Sequence, residues 1–287
     1  KALASGADAV IIDLEDAVPL DAKDTARTAL LNAWQDFAAA ERARLLVRVN
    51  PAGTTWHEAD LAAVASLTGL GALMLPKAEN PQQVEQAFRT SSKRVLPLIE
   101  SAEGVGQMDA IARAAGTLRL GLGHIDLQAD LGLRCGPDEA ELAPVRVAMV
   151  VASRRAGLPS PVDGVTTATQ DAEVLAADAQ RSRRFGFGAK LCIHPAQVAG
   201  VHQAALPLAL ALADQVFLYE PANANWSLDA LSRALAPKAS LSRDIDGLVT
   251  QLSEQAGQGD SIVIMSNGGF GGIHDKLISA LKRKWEH

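Results

Sequence analysis

Seven short apolar runs punctuate the first two-thirds of the chain: AVIIDLE (9–15), RLLVRVN (44–50), ALMLPK (72–77), VLPLIE (95–100), LRLGLG (118–123), SPVDGV (160–165) and KLCIHP (190–195). Each is too short for a buried helix and rich in aliphatic residues, the pattern of a strand covered on both faces. Between them lie amphipathic stretches such as DAKDTARTALLNAWQDFAAA (21–40), PQQVEQAFRTSS (81–92) and PVRVAMVVASRRAG (144–157). Strand and helix patterns alternating in this way predict an α/β fold with a parallel sheet. An open doubly wound sheet and a closed barrel of about eight strands both accommodate the count. The chain starts at Lys1 and enters a strand almost at once. The expectation is therefore a TIM (β/α)8 barrel whose first strand, with the natural N-terminus, is missing.

Beyond about residue 203 the pattern changes. QVFLYE (215–220) and SIVIMS (261–266) read as strands followed by helical segments, so the division expected is a barrel over 1–203 and a short αβ tail over 204–287. The boundary falls loosely between Ala204 and Asp214.

Composition narrows the function classes. Of 287 residues, 48% are hydrophobic and 21% charged, enough apolar matter for a large core and too much for a disordered chain. The net charge of −6 and the lack of a basic block argue against nucleic acid as a partner. Two cysteines, Cys135 and Cys192, with neither a signal peptide nor a membrane-spanning run, point to the reduced cytoplasm. The first strand is followed by an acidic turn rather than a glycine-rich one, which weighs against a dinucleotide fold.

Candidate chemistry sits where barrel strands end, because those ends face one shared mouth. Glu100 and Asp126 close two runs one βαβ repeat apart. Two carboxylates with water and substrate oxygens suit Mg²⁺, which keeps several non-protein ligands. The plainer alternative is that each acid caps the helix that follows. Arg48 can grip a carboxylate at two points, or can simply pair with Asp13 or Glu15. Asp13, Glu15 and Asp16 form an acidic turn suited to holding metal-bound water, with one of them free to cap a helix. Lys77 can touch a phosphate of the substrate, counter the acidic cluster, or simply stand in solvent. His124 is ambiguous, and His194, before a proline, reads as a structural hydrogen-bonding group. The SNGGFGG turn (266–272) reads as strand-to-helix geometry rather than an anion site.

DLEDAVP, RVNP, MLPKAE, PLIESAEG, GHIDLQADLG and KLCIHPAQV occur in this order from residue 13 to residue 198. In these motifs the chain resembles the citrate lyase β-subunit-like family, which includes malyl-CoA lyases. The resemblance implies a TIM barrel, Mg²⁺, a homotrimer, and cleavage or formation of a C–C bond beside a CoA thioester. It also implies Glu100 and Asp126 as metal ligands, Arg48 as the carboxylate-binding catalytic residue, and Glu15 with Asp16 supporting the metal through water. Some members hydrolyse the thioester instead. ALADQVFLYEPANANW (211–226) and GDSIVIMSNGGFGGIHDKL (259–277) resemble the end of the murein peptide ligase, a Mur-ligase relative, whose ATP-binding domain has no counterpart here. The resemblance thus implies a Mg²⁺-dependent lyase on an acyl-CoA or oxo acid. Its usual C-terminal lid is replaced, so metal and acid binding should survive better than turnover. A thioesterase, a non-catalytic metal- and acid-binding remnant and a peptidoglycan-precursor-binding fragment are the alternatives.

Overall fold

The computed structural model describes residues 1–210, 213–221, 227–264 and 270–285. Two compact units divide it, Lys1–Val201 and His202–His287.

The first unit carries seven parallel strands in sequential order: β1 Val10–Asp13, β2 Leu45–Arg48, β3 Ala72–Leu75, β4 Val95–Ile99, β5 Gly121–Leu122, β6 Val162–Asp163 and β7 Ala189–Lys190. The first six fall inside apolar runs expected to form strands, and β7 overlaps the seventh run (190–195) only at Lys190, beginning one residue earlier. A doubly wound sheet would reverse its order part-way, whereas this order advances one strand at a time, as barrels do. β1 and β7 form the two edges of the sheet.

The helices of this unit are α1 Lys23–Ala33, α2 Ala39–Arg42, α3 His57–Ser66, α4 Pro81–Ser91, α5 Ala102–Gly106, α6 Met108–Arg113, α7 His124–Leu131, α8 Ala143–Arg155 and α9 Ala172–Phe185, with α10 Ala196–Ala209 running across the division. Their starts are chemically set. Asn80 accepts from Gln83 N at 3.0 Å while the Gln83 side chain accepts from Asn80 N, with Pro81 in the first position of α4. Ser101 caps α5 by accepting from Gly104 N, and Asp171 caps α9 by accepting from Glu173 N and Val174 N.

Period-two alternation separates two apolar layers. Leu45, Val47, Leu73, Leu75, Val95, Ile99 and Leu122 pack outward with Leu61, Val64, Val84, Ile111 and Met149 of the helices. Met74, Leu96, Leu98 and Val162 form a second cluster on the inner face with Leu46, Ala189 and Leu191. Arg48, paired in register with Met74, shares that inner face.

In the second unit β8 Val216–Tyr219 pairs in parallel with β9 Ala239–Ser242 around α11 Asp229–Ala234. α12 Ile245–Gln255 and α13 Ile273–Trp285 follow, and Leu248, Val249, Ile273 and Leu277 form their core. The strand expected at QVFLYE is present. The one expected at SIVIMS is not, over its described residues 261–264, which form neither strand nor helix. β9 is the second strand instead, because the short α11 returns the chain beside β8 first. Most of the SNGGFGG turn, and the NANW end of the first Mur-like motif, lie outside the described residues.

Candidate active site at the carboxyl ends of the strands

Arg48, the last residue of β2, is held by the acidic turn after β1. Its Nε and Nη2 donate to the two oxygens of Asp13 at 2.7 and 2.6 Å, and Nη1 lies 3.3 Å from Asp16 Oδ2. The ion-pair alternative for this arginine is thus realised, chiefly with Asp13. Asp13 also accepts from Glu15 N at 2.9 Å and Ala17 N at 3.0 Å, so it both fixes the guanidinium and closes the turn. Burial acts to raise the Asp13 pKa, but the hydrogen bonds and charge of Arg48 outweigh it and hold the carboxyl below its ordinary value.

Glu15 is 5% exposed. Its Oε2 lies 2.9 Å from Arg48 Nη1 yet out of line for a hydrogen bond, leaving a buried carboxylate oxygen without a hydrogen-bond partner. Burial, against the pull of Arg48 and aided by the charges of Asp16 and Asp13, pushes this carboxyl up to about 7.

Glu100 follows β4 and is equally buried. It does not cap α5, since Ser101 does. Its Oε1 accepts from Lys77 N at 2.7 Å, and the Lys77 backbone turns left-handed (φ 47°) to present that N–H. The Lys77 side chain is exposed. Gly123, between β5 and α7, leaves the space that Glu100 occupies, since a Cβ there would stand 2.2 Å from Glu100 Oε2. Burial raises the Glu100 pKa to about 7, with Glu15 and Asp126 adding to the rise against the Lys77 N–H. Asp126 lies not at the strand end but one turn further, in the first turn of α7, where the helix dipole favours an acid.

The structure therefore brings Arg48, Glu15, Asp16, Glu100 and Asp126 to the carboxyl ends of β1, β2, β4 and β5, with Lys77 after β3. His194 stays apart: it is exposed, and its Nδ1 accepts from Ala196 N at 3.2 Å at the start of α10.

No local pattern marks the groups beneath this site. Lys23 is buried in the first turn of α1 and donates to Leu14 O at 2.9 Å and Glu15 O at 2.7 Å, which fixes the acidic turn from below. Asn50 donates to Leu14 O at 3.1 Å and to Asp60 Oδ2 at 2.7 Å, and Asp60 in turn takes Arg27 Nε at 2.7 Å. A lysine and an asparagine in such positions look like surface residues. Only the fold makes them internal.

Among the described residues no three His, Cys, Asp or Glu side chains are arranged to hold a metal ion by themselves. An ion at this mouth would take its remaining ligands from water and substrate. The donors on offer are hard carboxylate oxygens, one of them buried without a hydrogen-bond partner.

Residues 1–195 match the family model described as HpcH/HpaI aldolase/citrate lyase. The chain belongs to this family. Among its relatives, a citrate lyase subunit beta-like protein of Deinococcus radiodurans is 36% identical over 207 residues, covering 69% of this chain and 72% of that protein. A (3S)-malyl-CoA thioesterase of Cereibacter sphaeroides is 35% identical over 199 residues, covering 69% of each. The Mycobacterium tuberculosis citrate lyase beta subunit, solved with oxaloacetate and magnesium, superposes with a TM-score of 0.61 at 34% identity, over 69% of this chain and 86% of that one. For a citrate-lyase-like chain the acidic turn, Arg48 and Glu100 all lie inside the family match, and the unit His202–His287 lies beyond it.

Proposed function

We propose that this chain is a Mg²⁺-dependent enzyme acting on the CoA thioester of a hydroxy or keto dicarboxylic acid, of the citryl-CoA or malyl-CoA type, as a carbon–carbon lyase. The observation that carries the reading is the convergence of Arg48, Glu15 and Glu100 on one mouth, with Glu15 Oε2 buried and lacking a hydrogen-bond partner. The magnesium bound by the M. tuberculosis relative supports the choice of ion. Glu100 and Asp126 would hold it. When bound, the ion polarises the substrate oxygens and orients them.

The protein groups supply the rest. Arg48, already locked by Asp13, holds its remaining Nη N–H groups in a fixed plane for a substrate carboxylate, so little side-chain freedom is lost on binding. Glu15, with a pKa near 7, can hold or release a proton on a nearby water at neutral pH. Asp16 orients the same water, and Lys77 stands over the mouth as the cation for an anionic part of the substrate. A homotrimer in the reduced cytoplasm completes the reading. The Mur-ligase likeness of 204–287 rests on its motifs alone.

A thioesterase is the second reading, favoured by the (3S)-malyl-CoA thioesterase relative. Calorimetric titration of Mg²⁺ with oxaloacetate into the wild type and Asp126→Asn tests the site: metal-dependent binding should vanish in the variant. Absence of binding in folded wild type would sink the proposal. Incubation with malyl-CoA separates the two activities, because C–C cleavage yields acetyl-CoA and hydrolysis yields a free CoA thiol.

A further inference from the structure

Between the sheet and α8 and α9 lies a second, almost dry cluster of charge that the proposed reaction does not use. Glu139 is its hub. Its Oε2 takes Nη2 of Arg146 and, at 3.0 Å, Nη2 of Arg181, while its Oε1 lies 3.3 Å from His124 Nε2. Arg146 and Asp163 are 1% and 0% exposed, with Nε and Oδ1 3.3 Å apart. The cluster is not built for stability alone. Arg146 Nη1, Asp163 Oδ2 and Arg181 Nε are buried without hydrogen-bond partners, and an apolar replacement would avoid that cost. Glu139 itself adopts a left-handed backbone (φ 48°) to reach its position.

All of this bears on His124. That ring, 3% exposed, is gripped from two sides. Glu139 holds Nε2, and Gly164, just past β6, leaves room for the other edge, since a Cβ there would stand 2.0 Å from Nδ1. His124 is the first residue of α7 and Asp126 the third, so whatever fixes the ring fixes the turn that carries Asp126. At its other end α7 is tied to the start of α5, where Asp130 Oδ2 accepts from Ala102 N at 2.7 Å.

We propose that Glu139 is a positioning residue for the metal site: anchored by Arg146 and Arg181, its carboxylate clasps His124 against Gly164 and thereby sets the first turn of α7 and the place of Asp126. The inference rests on the reading of Asp126 as a metal ligand. Partners that orient ligands in this way are commonly worth ten-fold or more in metal affinity.

The test is Mg²⁺ affinity, measured by calorimetry with the metal alone on wild type, Glu139→Gln and Gly164→Ala, each checked for folding by near-UV circular dichroism. Gln must turn its amide NH₂ toward either the two guanidiniums or His124, so the clasp loosens at constant shape. Gly164→Ala displaces His124 from the opposite side without touching Glu139. Both variants should weaken Mg²⁺ binding at least ten-fold. A merely structural Glu139 would lower the melting temperature and leave the dissociation constant unchanged. Wild-type affinity in both folded variants overturns the inference and leaves the proposed function standing. Weakening in Glu139→Gln alone overturns the route through His124. Failure of the wild type to bind Mg²⁺, both alone and with oxaloacetate present, removes the proposed function and this inference together. Should Glu139→Gln not fold, Gly164→Ala and His124→Asn decide on the same criterion.

Discussion

Two carboxyls at the mouth, Glu15 and Glu100, are held near 7 in the folded chain, against an ordinary glutamate value of 4.5. The folded state therefore keeps protons that the unfolded chain releases, and stability falls as pH rises from about 4.5 to about 7. Replacing Glu15 by Gln removes one such group. In the presence of a chelator we expect Glu15→Gln to melt higher than wild type at pH 8 and to lose part of the pH dependence below 7. Differential scanning calorimetry at pH 5 and pH 8 checks this. The same variant should bind Mg²⁺ and oxaloacetate more weakly, a cost of function for stability. Glu139 has the opposite sign. Burial acts to raise its pKa, but the hydrogen bonds and charges of His124 and Arg146 outweigh it and hold the carboxyl at about 2. Its contribution is complete above about 4.5 and is lost as pH falls through about 2. Acid denaturation of Glu139→Gln should accordingly be less steep in that window than that of wild type.

At the scale of elements, the site depends on turns that follow strands more than on the strands. Lys77 serves Glu100 through its backbone N–H, in a left-handed conformation that glycine adopts without cost. Lys77→Gly should therefore keep Mg²⁺ affinity within about two-fold while weakening the anionic substrate, a split that titration of each ligand separately would show. Helix α4 has both halves of its capping pair in place, so Asn80→Ala should cost about 1 kcal/mol in denaturant unfolding without changing Mg²⁺ affinity. The strand ends were legible from the sequence because Arg48, Glu100 and Lys77 each close an apolar run. Asp126 was legible as a residue but misplaced by one turn, since strand β5 stops at Leu122 and the helix begins at His124. Nothing in the local pattern marks where a two-residue strand gives way to a helix.

At the scale of the whole molecule, two units carry separate cores: the two faces of the seven-stranded sheet in one, and the Val216–Leu235 and Leu248–Leu277 clusters in the other. Calorimetric unfolding should resolve two transitions, the larger enthalpy belonging to Lys1–Val201, because unfolding enthalpy scales with the number of residues. Among the described residues no helix is long and apolar enough to cross a membrane.

The existence of the strands, the parallel α/β class and the placing of Arg48, Glu15 and Glu100 at or just past strand ends were determined by the sequence itself, because hydrophobic period and strand length are local properties that survive without knowledge of distant contacts. The sequential strand order, which excludes a doubly wound sheet, came only with the tertiary structure. The tertiary structure alone also decided the company those residues keep. Asp13 as the partner of Arg48, Lys23 beneath the acidic turn, glycines at 123 and 164 that make room for Glu100 and His124, and Glu139 as a hub for two arginines all depend on groups brought together across many residues. Burial of a charge is a property of its surroundings, and a sequence names the charge without naming what will surround it.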